Sequence, residues 1–332
     1  MRRALITGGA GFIGSWLAET LHGRGWSVTV IDDLSTGSAA NVGALAAGER
    51  FSLVVDTVLD RRLMAQLVDA ADVVFHLAAA VGVRLIVEEP VHTIETNVRT
   101  TEVVLDLCAR QGKPLVMTSS SEVYGKLDRP RFHEDDDLVL GPTSRARWCY
   151  AGSKIIDEFL AHAYHVEKGL PVVMARLFNT IGPRQSGRYG MVVPRFVEQA
   201  LAGEPLTVHG DGSQRRSFTW VGDVVEALIA LAAHPQAAGR VFNVGHHEEI
   251  SILELARLVR RLAESSSEIV FVPYEEVYGQ GFEDMVRRLP DTSRIASLIG
   301  FKPSVDLPEM LRRILDHARS SAAPRPAALA GS

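Results

Sequence analysis

The chain has 332 residues, 46% of them hydrophobic, enough to bury a large core in one big or two modest domains. A net charge of −5, and no run near the roughly 20 apolar residues that cross a bilayer, leave neither nucleic acid nor a membrane as an expected partner. Cys108 and Cys149 lack metal-ligand spacing and no signal peptide is evident, so a metal-free protein of the reducing cytoplasm is expected.

Met1 to Thr7 reads as a short apolar strand, with Gly8, Gly11 and Gly14 after it at three-residue spacing. A helical apolar pattern then runs from Phe12 through Leu21. Glycines in that turn permit close approach of backbone amides to a pyrophosphate and close helix–strand packing, with the helix N-terminus facing the phosphate charge. Strand, turn and helix stand in the order that a dinucleotide-binding motif requires. A second strand, Ser27 to Ile31, ends at Asp32 and Asp33. A carboxylate at that strand end accepts from the adenosine ribose hydroxyls and repels a 2′-phosphate, which favours NAD over NADP. Asp32 directly follows the apolar run and takes that role; Asp33 reads as a solvated turn residue.

Strand-like runs recur at Phe51–Val55, Val73–Leu77, Pro114–Thr118 and Val172–Arg176, with helical patterns at Thr93–Gln111 and Arg147–Lys168. This alternation predicts an α/β fold, a Rossmann-type doubly wound parallel sheet with helices on both faces. Ligands of such sheets bind beyond the carboxyl ends of the strands. The small residues at two of those ends, Leu77-Ala78-Ala79 and Ser119-Ser120-Ser121, are expected to line the cofactor cleft. After about Asn179 the pattern changes to short elements and loops, including a Val224–Ala233 helix, RVFNVG, and a capping box at Ser251–Glu254. The expected organisation is a cofactor domain over 1–178 and a smaller C-terminal α/β substrate lobe over 179–317, with some crossover of the chain between them. Residues 318–332, ending Ala/Pro/Ser-rich, are expected to be a disordered tail.

Tyr150 and Lys154 share a helix face, since i and i+4 are neighbours there. An ammonium beside a phenol favours the phenolate and is expected to lower its pKa. Such a phenol can take the proton of a sugar hydroxyl while NAD takes the hydride. Ser120 could hydrogen-bond the same oxygen. Cys149, next to Tyr150, reads as structural.

These motifs resemble the extended short-chain dehydrogenase/reductases that act on nucleotide sugars. The resemblance rests on GGAGFIG, HLAA, SSSEVYG, YxxxK, RLFNTIGPR, GEPLTVHGDGSQRRSF and RRLPD, and covers residues 1–317. It implies oxidation at C4 of a nucleotide sugar, chemistry on the ketone, and return of the hydride from a bound NAD. EVYG and the stretch up to Tyr150 are similar to UDP-glucuronate decarboxylases, which implies Glu122 beside the sugar and Arg288 at the substrate carboxylate, with Arg287 next door. The expected product is UDP-xylose or the 4-keto pentose. AAAVGVRLIVEEP is closer to epimerases acting on uronic acids, so a 4-epimerase is the alternative; Arg84 there contacts a carboxylate or caps a helix. A 4,6-dehydratase is third. By position, Ser121, Asn179, Val193 and Arg216 are implied to hold the substrate, while Arg184 and Arg215 read equally as solvated. Phe12, Ile13, Asp56 and Asn97 complete the cofactor-binding candidates. The resemblance also implies a homodimer in which the Thr93–Gln111 and Arg147–Lys168 helices form a four-helix bundle.

Overall fold

The computed structural model describes residues 1–188, 190–278, 285 and 287–322. Its first half alternates strand and helix: β1 (Arg3–Thr7), α1 (Phe12–Gly23), β2 (Ser27–Asp32), β3 (Phe51–Val55), α2 (Arg61–Ala70), β4 (Val73–His76), α3 (Val83–Glu88), α4 (Pro90–Gln111), β5 (Leu115–Ser120), α5 (Cys149–Lys168) and β6 (Val172–Leu177). Shorter pieces follow. They are β7 (Thr180–Ile181), α6 (Val192–Ala202), β8 (Leu206–His209), β9 (Arg215–Arg216), β10 (Thr219–Trp220), α7 (Val221–Ala233) and β11 (Val241–Val244). The chain closes with β12 (Ile250–Ser251), α8 (Ile252–Leu262), β13 (Ile269–Val272), α9 (Tyr274–Tyr278), β14 (Arg287–Arg288), α10 (Ser293–Ile299) and α11 (Leu307–Ala322).

Strands β1 to β6, with β11, form one parallel sheet in the order β3-β2-β1-β4-β5-β6-β11. This is the doubly wound α/β arrangement expected from the alternation. Side chains alternate between its two faces. Ala4, Ile6, Val28, Val30 and Val116 meet α1 and α7 on one face, against Leu17, Leu21, Val224 and Leu228. Leu5, Ile31, Val74, Met117 and Met174 meet α2, α4 and α5 on the other, against Met64, Val68, Val104 and Ala161. With both faces covered, the strands read as near-continuous apolar runs.

Two elements read with the second half, α7 and β11, belong to this layer. Helix α7 is apolar over most of its circumference, so it needs cover on more than one side, and the sheet supplies it. A separate core gathers Phe196, Leu206, Val208, Leu255, Val259, Leu311 and Leu315 among α6, β8, α8 and α11. Helix α8 opens on the expected capping box: Glu254 N–H donates to Ser251 Oγ at 3.2 Å, and Ser251 N–H to Glu254 Oε2 at 3.0 Å. The disordered tail expected from residue 318 is corrected over its first residues, because α11 continues through Ala322. Ala318 packs on the second core and Arg319 Nη2 donates to Ala263 O at 3.3 Å, contacts that the composition did not reveal. Residues 323–332 lie outside the described residues.

The order of strands reverses between β1 and β4, and a crevice opens there beyond their carboxyl ends. Among the described residues no helix is long and apolar enough to cross a membrane, and no cluster of His, Cys, Asp and Glu could hold a metal ion.

Candidate active site

A cleft of about 910 Å³ runs from the β1–α1 turn across the strand ends to β9 and β14. Its first wall is the glycine turn. Gly8 has φ +69°, and a Cβ there would lie 2.7 Å from Ala78 N. A Cβ at Gly14 would lie 2.3 Å from Gly8 O, so the N-terminal turn of α1 sits against the strand-end backbone only because that Cβ is missing. The result is a cradle open to a pyrophosphate at a helix N-terminus. Asp32 closes the far side. Its Oδ2 accepts from Ala10 N and its Oδ1 from Leu34 N, both at 2.9 Å. Burial pushes its pKa up while these amides pull it back, and its carboxylate faces the cleft beside Asp33. The residues therefore fit a dinucleotide. Gly14→Ala is expected to weaken dinucleotide binding roughly ten- to a hundredfold, as overpacking by ~1–3 kcal/mol implies. Dinucleotide released on denaturing the purified variant measures this; wild-type occupancy would contradict it.

Leu77, Ala78, Ala79, Phe12 and Ile13 line the same cleft. Asp56 does not: it is exposed, with Oδ1 accepting from Thr57 N at 2.7 Å, and Thr57 and Val58 line the wall in its stead. Nor does Asn97, which is fully buried. Its Oδ1 accepts from Ala80 N at 2.8 Å and its Nδ2 donates to Ser153 Oγ at 3.0 Å. Ser153 Oγ in turn donates to Tyr150 O at 2.8 Å. Asn97 thus ties the loop after β4 to the helix that carries Tyr150.

Tyr150 and Lys154 both reach the cleft from α5 and both are buried. The Ser120 hydroxyl, at the end of β5, lies close enough to the phenol to act on it. Lys154 Nζ donates to Asp157 Oδ2 at 3.2 Å. Burial works against this ammonium, but Asp157 and the phenol outweigh it and hold the Lys154 pKa above its ordinary value. The net lowering expected for Tyr150 is corrected here. Burial pushes the phenol up and outweighs the pull of Lys154 and of the Ser120 hydroxyl, while Glu122 and Asp157 add to the rise.

Glu122 sits in the one-turn 3₁₀ segment Ser121–Tyr124 after β5, whose first turn Ser120 caps by accepting from Glu122 N at 3.2 Å. Its carboxylate is bridged by two arginines: Arg147 Nη1 at 2.5 Å from Oε2, and Arg288 Nη1 at 2.5 Å from Oε1. Val123, Tyr124, Phe132, Trp148 and Phe178 pack beneath this turn and fix it. Tyr124 Oη donates to Asn243 Oδ1 at 2.8 Å, anchoring the turn to β11. Arg147 is 2% exposed and was read only as the start of a helical pattern. Nothing in local periodicity marks it; its place in a 3₁₀ turn leading into α5 brings it under Glu122.

The choice between Arg287 and Arg288 follows from strand geometry. β14 pairs in parallel with β9, so Arg288 lies beside Arg216 and Arg287 beside Arg215. Arg216 and Arg288 line the cleft. Arg215 and Arg287 turn to the other face and donate to Glu249 at 2.8 Å and 2.7 Å. Phe132 N donates to Leu289 O at 2.9 Å, which stitches the Arg288 segment to the loop below Glu122. Ser121, Asn179 and Val193 also line the cleft, and Asn179 Nδ2 donates to Ser217 O at 2.9 Å. Arg184 lines it while bound to Glu19 at 2.7 Å. Arg84 is exposed and pairs with Glu88 one turn along α3, without capping that helix. Cys149 is a free, half-buried thiol whose pKa burial raises.

A glycine cradle on a doubly wound sheet, with a half-buried serine and a buried tyrosine and lysine at its mouth, defines a dinucleotide-dependent site. Residues 4–245 match the NAD dependent epimerase/dehydratase family, and the chain belongs to that family. It is 43% identical to the UDP-N-acetyl-alpha-D-glucosaminuronate decarboxylase of Bacillus cytotoxicus, over 96% of this chain and 98% of the relative. It is 37% identical to UDP-glucuronic acid decarboxylase 1 of Xenopus tropicalis, over 96% of this chain and 72% of that protein. Among solved structures, UDP-glucuronic acid 4-epimerase from Bacillus cereus, in complex with UDP-glucuronic acid and NAD, superposes with a TM-score of 0.86 at 29% identity, covering 96% of this chain and 99% of that one.

Proposed function

We propose that this chain decarboxylates a UDP-uronate, with UDP-glucuronate as the first substrate to test, through oxidation at C4. The observation that carries the reading is the Arg147–Glu122–Arg288 bridge beside Tyr150. Epimerisation at C4 has no need of a buried carboxylate held between guanidiniums at the reacting end of the cleft. The decarboxylase relatives support the same choice. The 43% relative favours a second form of the reading, in which the sugar carries an acetamido group at C2.

The glycine cradle and Asp32 would hold the cofactor, with Lys154 and Tyr150 at its reactive end. When bound, NAD supplies the hydride acceptor for C4. Tyr150, ionised first against the Lys154 ammonium, takes the proton of the C4 hydroxyl as its phenolate, and Ser120 orients that oxygen. With C4 a ketone, the carboxylate on C5 is β to it. Its C–C bond breaks, CO2 leaves, and the electron pair forms an enolate whose oxygen faces the Tyr150 phenol, the Ser120 hydroxyl and the Lys154 ammonium. Arg288, with Glu122 behind it, positions the leaving carboxylate, and Glu122 relays a proton from water to C5. Arg216 with Asn179 holds the diphosphate, for which a guanidinium fork is well shaped. In this reading residues 1–178 with α7 and β11 serve the cofactor, and the remaining second half serves the substrate.

Purified protein given UDP-glucuronate and its 2-acetamido analogue in separate reactions is expected to give a product that has lost CO2 from at least one. Product of unchanged mass with inverted C4 would replace the proposal with a 4-epimerase.

A homodimer belongs to the same proposal. α4 and α5 pack together and leave Val91, Ile94, Ile156, Phe159 and Val166 exposed, with Phe159 71% accessible. A second copy covering this face would make a four-helix bundle. Light scattering is expected to give twice the monomer mass, and Phe159→Glu to give monomer; a wild-type monomer would contradict it. Two free cysteines agree with the proposed cytoplasmic setting.

A further inference from the structure

Asp157 is 0% exposed and does not line the cleft, yet its carboxylate lies 3.2 Å from Lys154 Nζ, behind the ammonium. A buried carboxylate is costly unless it is paired, and Lys154 is the partner it meets here, with a line of polar groups leading up to it. Ala78 N–H donates to Thr7 Oγ1 at 3.3 Å. Thr7 Oγ1 is 2.7 Å from His76 Nδ1, and His76 Nε2 is 3.2 Å from Thr101 Oγ1. Thr101 lies close enough to Asp157 to act on its carboxylate, although Asp157 Oδ1 accepts no hydrogen bond. One assignment fits these distances: Thr7 donates to Nδ1 and Nε2–H donates to Thr101, which leaves the Thr101 hydroxyl proton free to turn toward the carboxylate. It requires a neutral His76 and an ionised Asp157. Burial and the nearby Lys154 push the His76 pKa down to about 3, in keeping with this.

The hydrogen-bonded line runs from an amide at the cofactor cleft to the Thr101 hydroxyl, next to the carboxylate that pairs with the ammonium. We propose that Asp157 is a positioning residue, which pins the Lys154 ammonium behind Tyr150 and sets how strongly that ammonium draws on the phenol's proton. A tyrosine that must both take and return a proton in one cycle needs a phenol that is not too acidic. An uncompensated lysine beside it would hold the phenolate and hinder the return. Three-residue spacing on α5 puts the counter-charge below the ammonium and leaves the side facing Tyr150 open.

The charged and titratable groups around this pair come from each packed element. On α5 itself they are Lys154, Tyr150 and Glu158. Thr101 of α4 separates Asp157 from His76 of β4. β5 brings no charged side chain, the turn after it brings Glu122 to bear on Tyr150, and Arg176 of β6 is held by Glu158 at 2.7 Å.

The inference rests on Tyr150 acting as the proton carrier, but its test needs no substrate, so it stands or falls apart from the decarboxylation. Ultraviolet titration of phenolate in the purified protein, less the same titration of Tyr150→Phe, isolates Tyr150. Asp157→Asn, compared with Tyr150→Phe/Asp157→Asn, is expected to move that midpoint down by roughly one pH unit. An unchanged or raised midpoint in the folded variant overturns the proposal. Should Asp157→Asn fail to fold, Lys154→Gln/Asp157→Asn removes both charges together and is expected to fold. If the double variant is equally unfolded, Asp157 serves packing and the proposal fails.

Discussion

Tyr150→Phe is expected to lower turnover by about 10²–10⁴-fold, the contribution of a positioned proton carrier. The substitution removes one oxygen from a buried ring and keeps its packing, so the protein should stay folded and retain its dinucleotide. The loss follows from geometry. Tyr150 is the phenol beside Ser120, and Lys154 is held by Asp157 at 3.2 Å. Burial has raised the phenol's pKa, so the phenolate that takes the alcohol's proton depends on the Lys154 charge. The Lys154 charge must then matter most when the alcohol proton is moving. Stopped-flow absorbance at the nicotinamide band checks the step directly. Near-normal C4 oxidation in the variant would remove Tyr150 from the chemistry.

Glu122→Gln should separate two steps that Tyr150→Phe abolishes together. In the proposed reaction, C4 oxidation uses Tyr150, Lys154 and Ser120, and departure of the carboxylate uses the Glu122–Arg288 end of the cleft. The variant is therefore expected to slow CO2 release about 10²-fold while C4 oxidation falls far less. Arg147→Gln should produce the same imbalance, because Arg147 touches Glu122 at 2.5 Å and reaches the reaction through it. It should also cost roughly 3–5 kcal/mol of stability, since one partner of a buried ion pair is removed from the other. Single-turnover traces that follow CO2 and nicotinamide absorbance in parallel decide the matter. Equal slowing of both steps would argue that the bridge only holds the turn after β5.

How far the site could be read in advance depends on whether a residue's role is local. The glycine cradle is local, and strand, turn and helix appear where the spacing predicts. The Tyr150–Lys154 pair follows from helix periodicity alone. Asp56 and Asn97 fail as cleft residues because their direction is set by packing: Asp56 turns outward on a loop, and Asn97 is used up on Ala80 and Ser153. Arg147 and Asp157 were not legible as site residues. One needs a turn whose depth comes from the aromatic packing under Glu122, the other a contact with Thr101 from a helix 56 positions earlier in the chain. The choice between Arg287 and Arg288 needed the register of β14 on β9, a pairing across 72 residues that no local pattern announces. The sign of the Tyr150 shift was also misjudged, because a lysine neighbour is visible in sequence and burial is not.

The most direct test uses UDP-glucuronate isotopically labelled in its carboxylate carbon, with the 2-acetamido analogue labelled likewise. Release of the label as CO2 by wild-type protein from either compound, abolished in Tyr150→Phe, is the predicted result. Label retained in a nucleotide sugar whose C4 configuration has inverted would contradict the account.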